Sequence, residues 1–192
     1  MGHEVDSLPE QALVRRSSRG DERAFGLLVE RYQGMVFSLC RRLLRDPGRA
    51  EDAAQDTFLK AWSALPGFRG DAKFSSWVYR IAYNTCISQL RKQRPEVELD
   101  EDRPAATPGP AEEFRAGDIR RAIDEEVAKL PDEYRAVLTL YHLNGMKYDE
   151  ICATTRKPMG TVKAQIHRAR ALLRARLVER VGWDNLREVM WR

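Results

Sequence analysis

Residues 147–177 read KYDEICATTRKPMGTVKAQIHRARALLRARL, and the break inside this stretch decides the fold. One helix runs to about Ala153, and a second is opened by Pro158, with Thr161 near its start and no proline after it. At about 100° per residue, Val162, Ile166, Ala169, Leu173 and Leu177 fall within one narrow arc of the second helix. Lys163, His167, Arg170 and Arg174 form the neighbouring stripe, while Ala164, Arg168 and Ala171 lie opposite the apolar arc. Such a helix buries one side and offers small and basic residues on the other. A short helix, a tight turn and a helix of this kind make a helix-turn-helix, whose second helix enters a DNA major groove. The plainer alternative is a basic, solvated surface helix that touches nothing.

Working outward, 192 residues allow one large or two small domains, and 43% apolar residues suffice to build cores. No run of 18 apolar residues and no signal-peptide h-region occurs, so no membrane insertion is expected. Cys40, Cys86 and Cys152 are scattered in helical patterns without a CxxC or a Cys/His cluster. They are expected to be small buried residues in a reducing cytoplasm, with no zinc site and no cofactor. The net charge of +4 is unevenly spread: residues 1–94 carry +5, 95–118 carry −6, 119–155 carry −2 and 156–192 carry +7. Two basic blocks around an acidic middle suggest two separate contacts with a polyanion.

The order of elements is helical throughout. A short amphipathic pattern over 8–19 stops at Gly20, and Asp21 caps a long helix to about Arg45 that buries Leu28, Tyr32, Val36, Leu39, Cys40 and Leu43. A helix over about 49–65 is expected to bury Ala50, Ala54, Phe58, Ala61 and Leu65, and to show Asp52, Gln55, Asp56 and Lys60. Residues 68–92, FRGDAKFSSWVYRIAYNTCISQLRK, are a loop followed by a helix from Ala72. On it Trp77, Arg80, Asn84, Ser88 and Arg91 share a side, and Val78, Ile81, Ala82 and Thr85 make the apolar side. A tryptophan among basic residues suits stacking on an unpaired base, or else packs on the preceding loop. Residues 94–115, RPEVELDEDRPAATPGPAEEFR, are rich in proline and acid and read as a flexible linker, about 70 Å when extended. Helices over 117–129 and 132–143 follow, the second with Tyr134, Val137, Leu138 and Tyr141 inward.

Five motifs in this order, AFGLLVERYQ, EDAAQDTFLKAW, FRGDAKFSSWVYRIAYN, LPDEYRAVLTL and YDEICA…PMGTVKAQIHRAR, closely resemble the extracytoplasmic-function (ECF) type of bacterial RNA polymerase sigma factors. The resemblance covers about residues 10–178. It implies an all-α chain of two small helical domains: a sigma domain two over 8–93, a flexible linker over 94–116, a helix-turn-helix sigma domain four over 117–180, and a tail over 181–192. It also implies a non-enzymatic initiation factor that binds core RNA polymerase and promoter DNA, and that an anti-sigma factor holds inactive. By the same resemblance Asp52, Gln55 and Asp56 grip the polymerase clamp. Phe68, Arg69, Lys73, Phe74 and Asn84 match the loop and helix that trap a flipped −10 base, and Trp77 and Arg80, which share the Asn84 side on the helical wheel, are candidates for the same single-strand contact. Lys163, Ala164, His167 and Arg168, with Thr161 and Arg170 beside them, read the −35 element.

One departure from the family stands out. Where relatives commonly have apolar residues and a Gly before the Pro, this chain has Thr154-Thr155-Arg156-Lys157. The turn is then either looser, or uses Arg156 and Lys157 on phosphates. The tail VGWDNLREVMWR places Trp183, Leu186 and Met190 on one face, for packing on the second domain or for docking a regulator. No P-loop, GxSxG or HExxH supports an enzyme. An ordinary duplex-binding helix-turn-helix dimer is the stronger competitor, and a pure protein adaptor the weaker one.

Overall fold

The computed structural model describes residues 8–93, 116–142 and 144–183, and every regular element among them is helical. In the first half, α1 (Glu10–Ser17) leads to the long α2 (Glu22–Leu44). Asp21 opens α2 by accepting the Ala24 N–H at 3.0 Å. That bond, reinforced by Arg16, holds its carboxyl below the usual range. Helix α2 stops where Arg45 turns left-handed, at φ 60°. Pro47 then begins α3 (Pro47–Ala64), whose cap Asp46 accepts from the Arg49 N–H at 2.8 Å. A single 3-10 turn, Leu65–Gly67, and a loop lead to α4 (Phe74–Gln93).

The buried arc of α3 is Ala50, Ala53, Thr57, Ala61 and Leu65, with Ala54 and Phe58 only half-buried. The expected arc was therefore rotated by about one residue. The cause is Thr57, whose hydroxyl satisfies itself on the Ala53 carbonyl at 2.6 Å and so enters the core without an unpaired polar group. Helix α4 departs further. Phe74, Trp77, Val78, Tyr79, Ala82, Tyr83, Thr85 and Cys86 are all buried, so it is covered on nearly every side. Cys40 and Cys86 are buried as expected, but Cys152 is only half-buried, its sulfur 4.0 Å from that of Met159.

The second half comprises α5 (Ala116–Ala128), α6 (Asp132–His142), α7 (Tyr148–Thr155) and α8 (Met159–Val181). The arc of α8 is buried: Val162, Ile166, Ala169 and Leu177 fully, Leu173 partly. Leu177 and Val181 pack with Ile119 and Ala122 of α5. Arg180 clamps the far end on Glu125 and Glu126. Burial pushes the Glu126 carboxyl up, but the hydrogen bonds from Lys129 and Arg180 outweigh it and hold the group low.

The two halves also pack on each other, which no sequence signal announced. One apolar cluster runs from Leu28, Leu39 and Tyr83 in the first half into Ala136, Leu140, Met146, Ile151 and Ile166 in the second. At its edge lies Arg135 of α6, with no exposed surface. Its guanidinium donates to the carbonyls of Leu130 (2.7 Å) and Ala128 (3.3 Å), to Asp132 (2.6 Å) and, across the seam, to the Leu43 carbonyl (3.1 Å). Two helix C-termini, those of α2 and α5, thus converge on one cation. That is where their partial negative charge favours one. The linker assigned to 94–115 and Leu186 and Met190 of the tail lie outside the described residues.

The polar turn between α7 and α8 is well formed. Thr154 is buried, and the Thr155 hydroxyl bonds back to the Ile151 carbonyl at 2.8 Å. Arg156 takes the left-handed position at φ 58° that a glycine would fill without strain. Lys157 is engaged by Gln165 (3.0 Å) and Glu133 (3.4 Å) rather than extended into solvent. Arg156→Gly is therefore expected to stabilise the chain, by roughly 0.5–1 kcal/mol from relief of the left-handed strain. A melting curve checks it, and a fall in melting temperature would show that the arginine side chain contributes more than its backbone costs.

Candidate nucleic-acid interface

Three exposed faces collect the residues singled out in the sequence. The first lies on α3, where Asp52, Gln55, Asp56, Leu59 and Lys60 are all exposed opposite the buried arc. Lys60 lies 3.7 Å from Asp56 and donates to the Thr85 hydroxyl at 3.2 Å, tying this face to α4. Leu59, at 67% exposed, is an apolar side chain with no internal packing role, and the search for an apolar arc passed it over. Carboxylates, an amide and one leucine on a rigid helix suit a protein surface better than a polyanion.

The second face is the loop after the 3-10 turn together with α4. Arg69, Lys73, Arg80 and Asn84 are exposed. Trp77 and Phe74 are not: they are 9% and 2% exposed. Phe68, half-buried, lies over Trp77 with ring centroids 4.9 Å apart, and Phe74 fills the space between Trp77 (5.6 Å) and Tyr32 (5.4 Å). Of the two readings of Trp77, stacking on an unpaired base or packing on the preceding loop, the structure has the second. The indole packs on the preceding loop, because burying three rings against one another removes more apolar surface from water than exposing one. Phe68 is the lid, and Gly70, at φ 79°, gives the loop its left-handed bend. The Tyr32 hydroxyl beneath this cluster donates to Glu10; burial and then that carboxylate push its pKa well up.

The third face is on α8. Thr161, Lys163, Ala164, His167, Arg168 and Arg170 are all exposed, opposite Val162, Ile166 and Ala169. Gln165 breaks the simple two-sided picture. It is buried and donates to Glu133 at 2.7 Å, which anchors α8 to the start of α6. The basic stripe is partly preorganised, a feature invisible to periodicity. Arg170 donates to His142 Nε2 at 2.9 Å and lies 5.0 Å from the Tyr141 ring centre, and Lys163 is 6.0 Å from that of Tyr148. Burial, then the Arg170 charge, lowers the His142 pKa and keeps that nitrogen an acceptor. Arg174 stacks on half-exposed Trp183 at 4.6 Å, which takes it out of the free stripe.

Among the described residues no group of three or more His, Cys, Asp or Glu side chains is placed to hold a metal ion. No helix among them is long and apolar enough to cross a membrane.

Comparison with known proteins agrees with this layout. Residues 28–96 match the family profile of Sigma-70 region 2, and residues 120–173 that of Sigma-70, region 4. The RNA polymerase sigma-H factor of Pseudomonas aeruginosa is 38% identical over 173 residues, covering 84% of this chain and 90% of that protein. The ECF RNA polymerase sigma-E factor of Escherichia coli is 38% identical over 177 residues, covering 86% and 92%. Among solved structures, CnrH in complex with the cytosolic domain of CnrY superposes with a TM-score of 0.64 at 28% identity, covering 86% of this chain and 95% of that one.

Proposed function

This chain belongs to the ECF RNA polymerase sigma factors of the sigma-70 family, and we propose from that premise a separate contact for each of its three exposed faces. The α3 face, with Asp52, Gln55, Asp56 and also Leu59, docks on core RNA polymerase. The loop and α4 open the −10 element: Phe68 swings off Trp77, an extruded base takes its place against the indole, and the Asn84 amide pairs with the base edge. Arg69, Lys73 and Arg80 hold the flanking phosphates. The α8 face reads the −35 element in the major groove through Lys163, Ala164, His167 and Arg168, with Thr161 and Arg170 beside them. The protein supplies recognition and strand separation rather than catalysis. It acts in the cytoplasm, where polymerase and promoter are, and an anti-sigma factor restrains it.

The observation that carries this reading is the division of labour across α3, α4 and α8: an acidic face, an aromatic cluster capped by half-buried Phe68 beside exposed basic residues, and a basic face. A duplex-binding regulator needs the last alone. The test adds purified chain to core polymerase and a promoter library and maps new transcription starts. Gln55→Ala with Asp56→Ala should abolish most of that activity by weakening core binding, with helicity unchanged because both side chains lie outside the core. Normal core binding by the double variant would remove the α3 assignment. Starts that do not depend on the added chain would remove the function.

A further inference from the structure

The basic stripe of α8 is braced by side chains that α8 does not supply. Arg170 donates its Nε–H to His142 Nε2 at 2.9 Å, and its guanidinium carbon lies 5.0 Å from the centre of the Tyr141 ring. Both partners stand at the end of α6, where the Tyr141 and His142 rings meet edge to face at 4.9 Å. Tyr141 in turn lies 5.0 Å from Tyr148 at the start of α7, and Lys163 is 6.0 Å from that second ring. Three helices thus meet at one surface, with two paired tyrosines beneath two cations of α8 that are nearly two turns apart. His142 is exposed, so core packing does not account for its place. Its ring nitrogen is engaged by the one arginine.

That engagement restricts what Arg170 can do. A guanidinium presents its N–H donors in a flat fork. His142 takes the Nε side and Tyr141 covers one face, which leaves the two Nη groups, with no other hydrogen bond or ion pair among the described residues. An end-on pair of this kind matches the two free oxygens of a phosphodiester. The position on the helix agrees. At about 100° per residue, Arg170 stands about 120° round α8 from Ala164, on the flank of the face that holds Ala164, His167 and Arg168. A side chain on the flank of a helix lying in a groove meets the sugar-phosphate backbone before it meets a base edge. An arginine already fixed by a hydrogen bond and a ring also loses less rotamer freedom when a phosphate arrives.

We propose that His142, outside the recognition helix, is a positioning residue that fixes Arg170 to grip a phosphate of the −35 duplex. This deepens the reading of the α8 face and rests on it. Arg170 then contributes affinity and register on the duplex, while base preference stays with residues such as Arg168. His142 itself touches no DNA in this scheme. It acts through the one hydrogen bond, with Tyr141 as the plane against which the guanidinium lies.

The test forms holoenzyme from core polymerase and the full chain, and measures its affinity for duplex promoters with different −35 sequences at several salt concentrations. Arg170→Ala is expected to weaken binding about tenfold or more, equally on every −35 sequence, and to reduce the salt dependence by about one counterion. His142→Leu should weaken it about three- to tenfold, the effect of one hydrogen bond, and should cost nothing further in the Arg170→Ala background. His142→Gln, whose side-chain oxygen accepts where Nε2 did, should restore affinity to within about twofold of the parent. General damage to α6 would instead cost the same in both backgrounds and would not be rescued. Should His142→Leu lose its helical circular dichroism, His142→Ala enters the same cycle. Parent-like binding by the folded variant, an undiminished loss in the Arg170→Ala background, or no rescue by His142→Gln overturns the positioning role. Promoter-dependent binding by the parent holoenzyme separates the two levels. Its presence with any of those outcomes sinks the role of His142 alone, and its absence sinks the functional reading.

Discussion

Arg135→Ala is expected to lower the unfolding free energy by about 3–5 kcal/mol, the usual effect of removing one partner of a buried, hydrogen-bonded charge. The residue has no exposed surface and satisfies four acceptors, three of them carbonyls at helix ends. Alanine leaves those carbonyls and Asp132 without their donor, and leaves a cavity. Burial lowers the Arg135 pKa and the Asp132 charge raises it again, which is how a guanidinium stays ionised inside a core. Arg135→Met should be milder, since it fills the volume and removes the cost of desolvating the charge while still leaving the carbonyls unpaired. Urea titration at neutral pH measures both variants. A loss below about 1 kcal/mol for alanine would mean that water reaches the site and replaces the guanidinium.

The second large effect concerns sequence preference at the −35 element. Arg168 is exposed in the first half of α8, opposite the buried Val162 and Ala169, and has no ion pair or hydrogen bond among the described residues. It is free to make a two-pronged contact to a guanine edge, which discriminates by roughly 1–3 kcal/mol, about five- to 150-fold. Arg168→Ala should therefore flatten the preference at one base pair while leaving the other positions intact. Arg174, stacked on Trp183 a turn and a half farther along, is the control. Arg174→Ala should leave base preference unchanged and, if the side chain meets a phosphate, reduce the salt dependence by about one counterion. Binding selections on a randomised −35 library, with polymerase present, read both. Equal, sequence-blind losses for the two variants would end the distinction between them.

The sequence determined the helices and most of their orientation. Asp21 and Pro158 mark helix starts because each satisfies or lacks an N–H that the first turn leaves free. The apolar arc of α8 and the exposed Asp52, Gln55 and Asp56 followed from a 3.6-residue period alone, since a helix between core and water must show that period. The tertiary structure decided what meets each face. Periodicity reports that a side is apolar, not which neighbour covers it, so it could not say that Trp77 would be roofed by Phe68 or that α4 would be enclosed by α7. Nor could it place Arg135 and Gln165 in the interior. An arginine is buried only where carbonyls from distant turns converge, and the convergence of Leu43 with Ala128 and Leu130 exists only once α2 and α5 end at the same point.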